Sequence, residues 1–485
     1  MAQGTRIARN TAYLTIASIL QKVISLGYFA YLARAIGAEN LGKYTFALTF
    51  TSIFIIFMDF GLGTLLTREV AKKEEELQHQ FTRIFSVKIV LIIASLIVLF
   101  LSLGAVHMFF SHVTLEDVYL VSFASVIIIF DTIAFTFLSL FRSVKQIQWE
   151  ALGIILYQGV ILIVGLFVLR ANLPLVFAIA AVLTGSVVQC GYLFILIKKR
   201  LHLQFHLTWN TQDVKQILTL AAPFALAGIV YRIYSSADSI MLKIMIDNDV
   251  LGRYALAYKL NFALTIVPGS FAISYFPVVS SHFQHAKQEL HRIFEAGIFY
   301  MMLVSIPIIG GVLIVGDNII TSIWGAHWST SIEPLSILMV GLPFVFCNYP
   351  IGNFLNAVNK QKINTLNMCI ALLVNLLCNF LLIPSLEFNG AAISFVISSI
   401  VLVLLGIPWV YKTAPFRIGY IVKKGILIGI SALIMSFILF FIQNTYPLLA
   451  LIPLSVFLYC GTLLLTGALS IQELRQFFLA IIKRT

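Results

Sequence analysis

One tetrapeptide occurs twice in this chain, as Leu41-Gly42-Lys43-Tyr44 and, 210 residues later, as Leu251-Gly252-Arg253-Tyr254. A second match follows in the same order, because Arg83-Ile84-Phe85 returns as Arg292-Ile293-Phe294 at an offset of 209. Self-similarity at a nearly constant offset is the sequence signature of a repeated structural unit. The two matches therefore predict that the chain contains two related halves.

A third match extends the repeat towards the C-terminus. Lys145-Gln146 corresponds to Lys360-Gln361 at an offset of 215, and the drift in offset fits small insertions in loops. We therefore expect an N-terminal six-helix lobe over residues 1–200 and a corresponding lobe over residues 201–411. Residues 412–485 lie beyond the repeat and are expected to add two helices and a cytoplasmic tail.

The composition assigns the chain to the helical membrane proteins. Sixty per cent of the residues are hydrophobic and only 11% are charged, and the mean hydropathy is +0.99. A spanning helix needs about 20 mostly apolar residues. Segments that meet this requirement lie near residues 10–33, 41–67, 84–108, 117–141, 151–170, 175–197, 217–243, 251–278, 293–316, 334–358, 365–384, 390–411, 424–443 and 448–469. The predicted fold class is an all-α polytopic membrane protein with about 14 transmembrane helices.

The positive charges alternate along the chain between successive loops. With the N-terminus in the cytoplasm, 23 of the 32 Lys and Arg residues fall in cytoplasmic segments. The positive-inside rule then predicts that both termini are cytoplasmic. The first and seventh segments both start inside, so the two six-helix repeats are parallel. The net charge of +12 thus reflects topology, and the expected partner is the lipid bilayer, with no nucleic acid.

Two apolar segments carry one basic residue near their middle, Lys22 in the first and Arg232 in the seventh. Lys22 shares a helix face with Ser18 and Ser25, and Arg232 lies beside Ser235. A cation within the bilayer is costly and normally faces a partner or a water-filled cavity. These residues are candidates for binding an anionic group, with Ser18, Ser25 and Ser235 lining the cavity. The alternative is an internal ion pair with an Asp of a neighbouring helix.

A third cation, Lys259, lies in the eighth segment with Tyr258 and Asn261 beside it. We expect Lys259 to contribute to substrate binding and its two neighbours to line the cavity. The alternative is that the long Lys side chain extends outwards to the membrane surface. Tyr231, on the helix face of Asp238, is a further candidate lining residue.

Carboxylates also lie within apolar segments. Asp131 is in the middle of the fourth segment and Asp238 follows Arg232 in the seventh. Such groups can couple transport to protons or sodium, or they can neutralise a nearby cation; both readings stay open for these two residues. Asp59 is followed by Gly61 and Gly63, which indicates a motif at a helix end.

The remaining motifs favour transport over catalysis. Pro268-Gly269, in the middle of the eighth segment, is the best candidate for a hinge. The five Cys residues show no metal-ligand spacing and no phosphate-binding Gly-rich loop is present. We therefore expect no metal, no cofactor and no enzymatic activity.

The N-terminal region resembles a known family. The pattern Leu32-Ala33-Arg34-Ala35-Ile36-Gly37, Leu41-Gly42-Lys43-Tyr44, Asp59-Phe60-Gly61-Leu62 and Arg68-Glu69 is similar to the start of bacterial polysaccharide flippases. These are O-antigen and capsule repeat-unit translocases of the multidrug/oligosaccharidyl-lipid/polysaccharide exporter superfamily. The resemblance extends to the length of the chain and to its organisation as six, six and two segments.

The resemblance implies an alternating-access flippase in the bacterial cytoplasmic membrane. Its cargo would be a polyprenyl-diphosphate-linked oligosaccharide for O-antigen or exopolysaccharide synthesis, with the diphosphate held by Lys22, Arg232 and Lys259. The prenyl tail would follow a groove formed with the last two segments, and polysaccharide polymerase and chain-length components would be partners. Two alternatives remain: a cation-coupled multidrug exporter of the same fold, and a membrane glycan polymerase or scaffold component.

Overall fold

A computed structural model describes residues 2–72, 74–208, 210–443 and 445–469, without the side chains of residues 2–12, 71, 72, 74, 211 and 449. Residues 470–485 of the predicted cytoplasmic tail lie outside the described residues. The described chain is helical and contains no strand. Its α-helices are α1 (Ala2–Asp59), α2 (Leu62–Lys72), α3 (Leu77–Phe109), α4 (Leu115–Ser143), α5 (Ile147–Arg170), α6 (Leu175–Leu196), α7 (Thr211–Met245), α8 (Asn248–Leu264), α9 (Ile266–His285), α10 (Leu290–Trp324), α11 (Ile332–Ala357), α12 (Gln361–Thr413), α13 (Ile418–Ile442) and α14 (Leu448–Leu465). Three 3₁₀ turns (Glu74–Glu76, Lys287–Glu289 and Ala326–Ser331) and a π turn (Ile197–Leu201) join some of them.

The predicted all-α membrane fold is confirmed. In the described part of the chain, eleven helical stretches are long and apolar enough to cross a membrane. Two of them contain a non-helical residue, Gly37 in α1 and Glu387 in α12, and each is long enough for two predicted segments. The shorter apolar helix Ala450–Leu465 follows them. Every predicted apolar segment thus coincides with helix, while the number of crossings and the side of each terminus stay predictions.

The chain packs into two compact units. The first contains the described part of residues 1–256 together with residues 378–391, and the second contains the remaining described residues. In the first unit, buried apolar residues such as Leu65, Phe137 and Leu193 form a core. In the second, a core forms around Ile428 and Met435 of α13 and Leu451 of α14. These are units of packing, so the lobe boundaries inferred from the repeat stay predictions.

The helix break after α1 arises from the motif noted at Asp59. Phe60 and Gly61 both have positive φ, 46° and 75°, and a Cβ on Gly61 would lie 3.0 Å from the carbonyl oxygen of Ala221 in α7. Asp59 Oδ1 accepts a hydrogen bond from the backbone N–H of Gly63 at 3.3 Å and so caps α2. The expected helix-end motif is therefore present, and Gly61 permits both the turn and the close helix contact.

The repeated tetrapeptides meet each other in the first unit. A Cβ on Gly42 would lie 1.8 Å from the carbonyl oxygen of Asn248, and one on Gly252 would lie 1.9 Å from that of Ala38. Asn248 and Ala38 are themselves 210 residues apart, so the crossing is reciprocal, as between two symmetry-related subunits. The two helices touch backbone to backbone because neither Gly carries a side chain.

The turn that follows α4 and the turn that follows α11 have the same pattern of backbone hydrogen bonds. The N–H groups of Val144, Lys145 and Gln146 bond to the carbonyls of residues 140, 142 and 141, and those of residues 358, 359 and 360 bond to residues 354, 356 and 355. Lys145 and Asn359 both have positive φ, 57° and 62°. The structural offset is 214, one less than that of the matched Lys-Gln pairs. The internal repeat therefore extends from sequence to hydrogen bonding.

The glycine crossing generates a stability prediction. Gly42→Ala and Gly252→Ala should each lower the thermal unfolding midpoint of the purified protein in detergent, because overpacking at a fixed backbone contact costs about 1–3 kcal/mol. Gly27→Ala is the matched control, since a Cβ at Gly27 meets nothing within 4 Å. If Gly42→Ala or Gly252→Ala had the same unfolding midpoint as Gly27→Ala, that result would contradict the tight contact.

Candidate functional site

Arg232 is held on α7 against the first helix. Its Nε donates a hydrogen bond to the backbone carbonyl of Ser52 in α1 at 2.8 Å, and its side chain is half-buried. Ser235 Oγ donates to the carbonyl of Arg232 at 3.0 Å. Because Nε is bonded to a backbone oxygen, the direction of the guanidinium plane is fixed. A guanidinium also carries N–H donors on its two terminal nitrogens, and this fork matches the oxygen atoms of a carboxylate or phosphate.

The structure brings Arg232 into electrostatic range of Asp131, a residue of α4. Ser186 Oγ, on α6, donates a hydrogen bond to Asp131 Oδ1 at 2.6 Å, and Ser186 is fully buried. The phenol of Tyr157, on α5, also lies within electrostatic range of Asp131. Four helices thus converge on one carboxylate, and the guanidinium of Arg232 is near it. Sequence reasoning named both charges but did not pair them.

Lys22 lies on α1, the helix that packs against α7. Its side chain is half-buried, as are Ser18 and Ser25 on the same face. Intermediate burial fits a polar stripe that is neither sealed in a core nor fully turned towards lipid. The predicted roles of these three residues in substrate binding stay predictions.

Asp238 has a different environment from Asp131. It is 4% exposed and accepts hydrogen bonds from two neutral groups, the Tyr254 hydroxyl at 2.9 Å and the Asn379 amide at 2.7 Å. Tyr231, predicted on the same helix, is 53% exposed. A carboxylate within a membrane segment can bind a coupling cation, or it can join helices as a hydrogen-bond acceptor. Ion coupling at Asp238 and Asp131 stays a prediction.

Two other intramembrane cations are neutralised by buried carboxylates. Lys88 Nζ lies 2.6 Å from Asp59 Oδ1, and Lys243 Nζ lies 2.8 Å from Asp117 Oδ2. All four side chains are almost completely buried. Removing one partner of such a pair is strongly destabilising, because it leaves an uncompensated charge. These pairs are part of the scaffold, and they could not be predicted from the sequence because the partners lie far apart in the chain.

Lys259 lies in the second unit, on α8, and is half-buried. The ring of the adjacent Tyr258 packs edge-on against Phe395, with centroids 5.8 Å apart. Asn261 is 2% exposed and donates its amide N–H to the carbonyl of Leu338 in α11 at 3.0 Å. Asn261 therefore joins two helices, the role open to any buried amide in a membrane protein.

The predicted hinge coincides with a helix break. α8 ends at Leu264 and α9 begins at Ile266. Pro268 has no N–H to donate to the carbonyl of Leu264, four residues earlier, so the helical hydrogen-bond ladder is interrupted there. Gly269 N–H bonds to the Thr265 carbonyl at 3.0 Å, and a Cβ on Gly269 would meet nothing within 4 Å. Whether the break moves during transport stays a prediction.

A large, partly open apolar cavity lies in the second unit between α10, α13 and α14, and its volume is about 840 Å³. Phe299, Leu303, Pro307, Met435, Val456 and Tyr459 are among the residues that line it. Charged residues also line it, among them Glu295 and Arg417. Glu295 Oε2 lies 2.8 Å from Arg417 Nη2 and Oε1 accepts the Arg417 backbone N–H at 2.7 Å. These hydrogen bonds raise the pKa of the Arg417 guanidinium above its ordinary value.

Among the described residues, no group of three His, Cys, Asp or Glu side chains is placed to hold a metal ion.

Known proteins resemble this chain over most of its length. The capsular polysaccharide biosynthesis protein CapF of Staphylococcus aureus is 21% identical over 418 residues, covering 84% of this chain and 99% of CapF. A probable low-salt glycan biosynthesis flippase of Haloferax volcanii is 22% identical over 475 residues, 97% of each chain. These relatives agree with the prediction that the chain is not an enzyme.

The fold is likewise shared with a solved structure. A lipid II flippase, MurJ, in an inward closed conformation superimposes with a TM-score of 0.76 at 19% identity, covering 93% of this chain and 97% of that one. Two sequence families match the chain: the MatE family over residues 223–381, and a family described as polysaccharide biosynthesis protein over residues 7–283. Since the second match spans more than half of the chain, this multi-pass membrane protein belongs to the polysaccharide biosynthesis protein family.

Proposed function

We propose that the protein is a flippase that moves a polyprenyl-diphosphate-linked oligosaccharide from the inner to the outer leaflet of a bacterial cytoplasmic membrane. The observation that carries the proposal is that two half-buried cations, Lys22 and Arg232, lie within the apolar helices α1 and α7. Named flippases and a capsular polysaccharide protein among the relatives support it. Placing a cation within the bilayer costs free energy, and binding of an anionic cargo would explain why these two are present.

The diphosphate is the part of the cargo that the cations recognise. The Arg232 guanidinium forms parallel hydrogen bonds to phosphate oxygens, while the Lys22 ammonium acts as a mobile point charge. The polar side chains beside Lys22 supply hydroxyl groups for the same head group. Lys259, in the second unit, is proposed as a third ligand on the grounds of its intramembrane position and half-burial.

The prenyl tail is proposed to occupy the apolar cavity of α10, α13 and α14. Its volume of about 840 Å³ is within the usual range for ligand sites, about 300–1,000 Å³. Its apolar lining suits an isoprenoid chain. Placing the tail here would leave the diphosphate and sugars to the polar parts of the protein.

Transport needs a moving element and an energy source. We propose that bending at the break between α8 and α9 contributes to alternating access, and that Asp238 binds the coupling cation. Polysaccharide polymerase and chain-length components are proposed as partners, since a flipped repeat unit must be polymerised outside.

The second candidate is a cation-coupled multidrug exporter, and the match of residues 223–381 to the MatE family favours it. An exporter of cationic drugs would use an acidic cavity, in which Arg232 and Lys22 would repel the cargo. The two cations within apolar helices therefore support the flippase over the exporter. If the protein were a glycan polymerase or a scaffold component, substitution of Lys22 or Arg232 should barely affect its function.

The cationic site leads to a direct test. Lys22→Ala/Arg232→Ala should reduce flipping of a fluorescent polyprenyl-diphosphate oligosaccharide in proteoliposomes by about tenfold or more, because each charged hydrogen bond contributes about 1.5–3 kcal/mol. Lys199→Ala, at an exposed position, is the control for lost charge. Equal flipping by all three proteins would rule out the proposed site, and a wild type that moves only cationic drugs would favour the exporter.

Asp238 provides a separate test of coupling. Sodium and proton gradients are imposed one at a time on proteoliposomes, and the flipping rate is measured. The wild type should respond to one of the gradients, and Asp238→Asn should lose that response, because the neutral amide cannot hold the cation. Asp317→Asn, at an exposed carboxylate, should respond like the wild type. A gradient response that survives in Asp238→Asn would exclude Asp238 as the coupling site.

A further inference from the structure

We infer that the segment connecting the two predicted six-helix repeats, residues 202–208, is a clamp that holds the start of α7 on α3 throughout transport, and is not a hinge. Hinges are short loop or element-terminal segments that absorb backbone rotation, so a connection between two repeats is where one is expected. Here the segment is docked instead, and we call residues 202–208 the linker strap. The clamp can be tested without a cargo, while its role during transport rests on the proposed function.

The backbone of the linker strap is hydrogen-bonded to side chains of α3. Gln78 Oε1 accepts the N–H of Gln204 at 2.9 Å, and Gln78 Nε2 donates to the carbonyl of Gln204 at 2.8 Å. Ser86 Oγ accepts the N–H of Thr208 at 2.9 Å. Since a helix rises 1.5 Å per residue, Gln78 and Ser86 are about 12 Å apart along α3. The strap is therefore held at two well-separated points.

The side chain of Phe205 packs the strap against the helices between these two points. Its ring centroid lies 5.0–6.0 Å from those of four other rings, Phe81 and Phe85 of α3, Phe137 of α4 and Phe194 of α6. Three of these contacts are edge-on, an arrangement that aromatic pairs prefer. A segment that swings freely does not pack an aromatic ring among three helices.

The first turns of α7 are tied to α3 directly as well. Arg83 Nη2 lies 2.6 Å from Asp213 Oδ1 and donates a hydrogen bond to Gln216 Oε1 at 3.1 Å. Charge-assisted hydrogen bonds of this kind are the stronger ones. The start of α7 is thus fixed to α3 through the strap and through its own side chains.

The same docking occurs where the chain leaves the second predicted repeat. Glu295 Oε1, on α10, accepts the N–H of Arg417 at 2.7 Å, just before α13. Glu295 follows Ser86 by 209 residues, and Arg417 follows Thr208 by the same 209 residues. One backbone hydrogen bond is therefore repeated, with both of its partners shifted by the offset of the Arg-Ile-Phe motif.

An aromatic contact accompanies the hydrogen bond in both places. The ring of Phe294 lies 4.8 Å from that of Phe416, and the ring of Phe85 lies 5.8 Å from that of Phe205. In the predicted organisation only two helices follow the second repeat. A contact that opens and closes between repeats would have no use there, whereas a fixed clamp accounts for both positions.

A clamp at the linker strap determines where motion can occur. The first turns of α7 then move with the first repeat, although in sequence they begin the second. The rotation that alternating access needs lies beyond the strap, and the break between α8 and α9 is available for it.

Hydrogen exchange of the full-length protein in lipid nanodiscs measures the clamp. The peptide over residues 203–208 should be protected in the wild type. Gln78→Ala should raise its exchange rate about tenfold, because two hydrogen bonds to the strap are lost, and Ser86→Ala about threefold. Gln80→Ala is the matched control, since Gln80 Nε2 donates to Glu76 Oε2 at 3.1 Å, and it should leave the rate unchanged.

Equal exchange of residues 203–208 in Gln78→Ala and Gln80→Ala would overturn the inference, as would exchange in the wild type at the rate of an unstructured peptide. If Gln78→Ala does not fold, the comparison of Ser86→Ala with Gln80→Ala decides in the same way. At the second docking point, Glu295→Ala should raise the exchange rate of residues 416–418.

A tether distinguishes a clamp from a hinge during transport. Gln78→Cys/Gln204→Cys, in a background with the five native Cys residues replaced by Ala, is joined by a short bifunctional thiol reagent. Flipping of the fluorescent lipid in proteoliposomes should be the same before and after tethering. Each single Cys variant, treated with the same reagent, is the control for chemical modification.

Loss of flipping in the tethered protein, but not in the singly modified ones, would mean that the strap must leave α3, and would overturn the inference. If the protein does not move the lipid even without the tether, the proposed function fails. Hydrogen exchange would still decide whether the strap is a clamp.

Discussion

A charge within a bilayer must be matched by an opposite charge or by water, and the first unit of this protein is organised around that constraint. Two cations there, Lys88 and Lys243, are matched by buried carboxylates at 2.6 and 2.8 Å. Such pairs stabilise a helix arrangement only while both partners are present. Arg232 differs because it is half-buried and lies near a carboxylate that is already hydrogen-bonded by a serine. The same constraint thus accounts for the two buried pairs as part of the scaffold, while binding of a cargo at Arg232 is a proposal.

Two other acids within the helices of the first unit, Asp131 and Asp238, also differ in their environment. Asp131 lies near a guanidinium, whereas Asp238 receives hydrogen bonds from a phenol and an amide. A carboxylate next to a cation acts as a counter-ion, and one among neutral donors retains the capacity to attract a small cation. Binding and coupling would then use different residues of α4 and α7, connected through the position of Arg232 on α7.

Local features of the sequence were sufficient to predict the helices and several of their breaks. Apolar runs identified every helical segment, and Pro268 marked the break between α8 and α9 because a missing N–H acts on its own helix. The repeated Gly residues indicated a repeat. They did not indicate that Gly42 and Gly252 each contact the backbone of the helix that carries the other. The ion-pair partners of the buried charges could not be predicted from the sequence. Lys88 and Asp59 are 29 residues apart, and only tertiary packing brings such groups together.

The central claim is that the cargo's diphosphate binds to Lys22 and Arg232. The most direct measurement is an electron cryo-microscopy structure of the full-length protein in nanodiscs with a prenyl-diphosphate lipid bound. The account predicts density for the diphosphate within about 4 Å of the guanidinium of Arg232 and the ammonium of Lys22, the reach of charge-assisted hydrogen bonds. Diphosphate density at Arg292 and Arg417, with Lys22 and Arg232 away from the lipid, would contradict it.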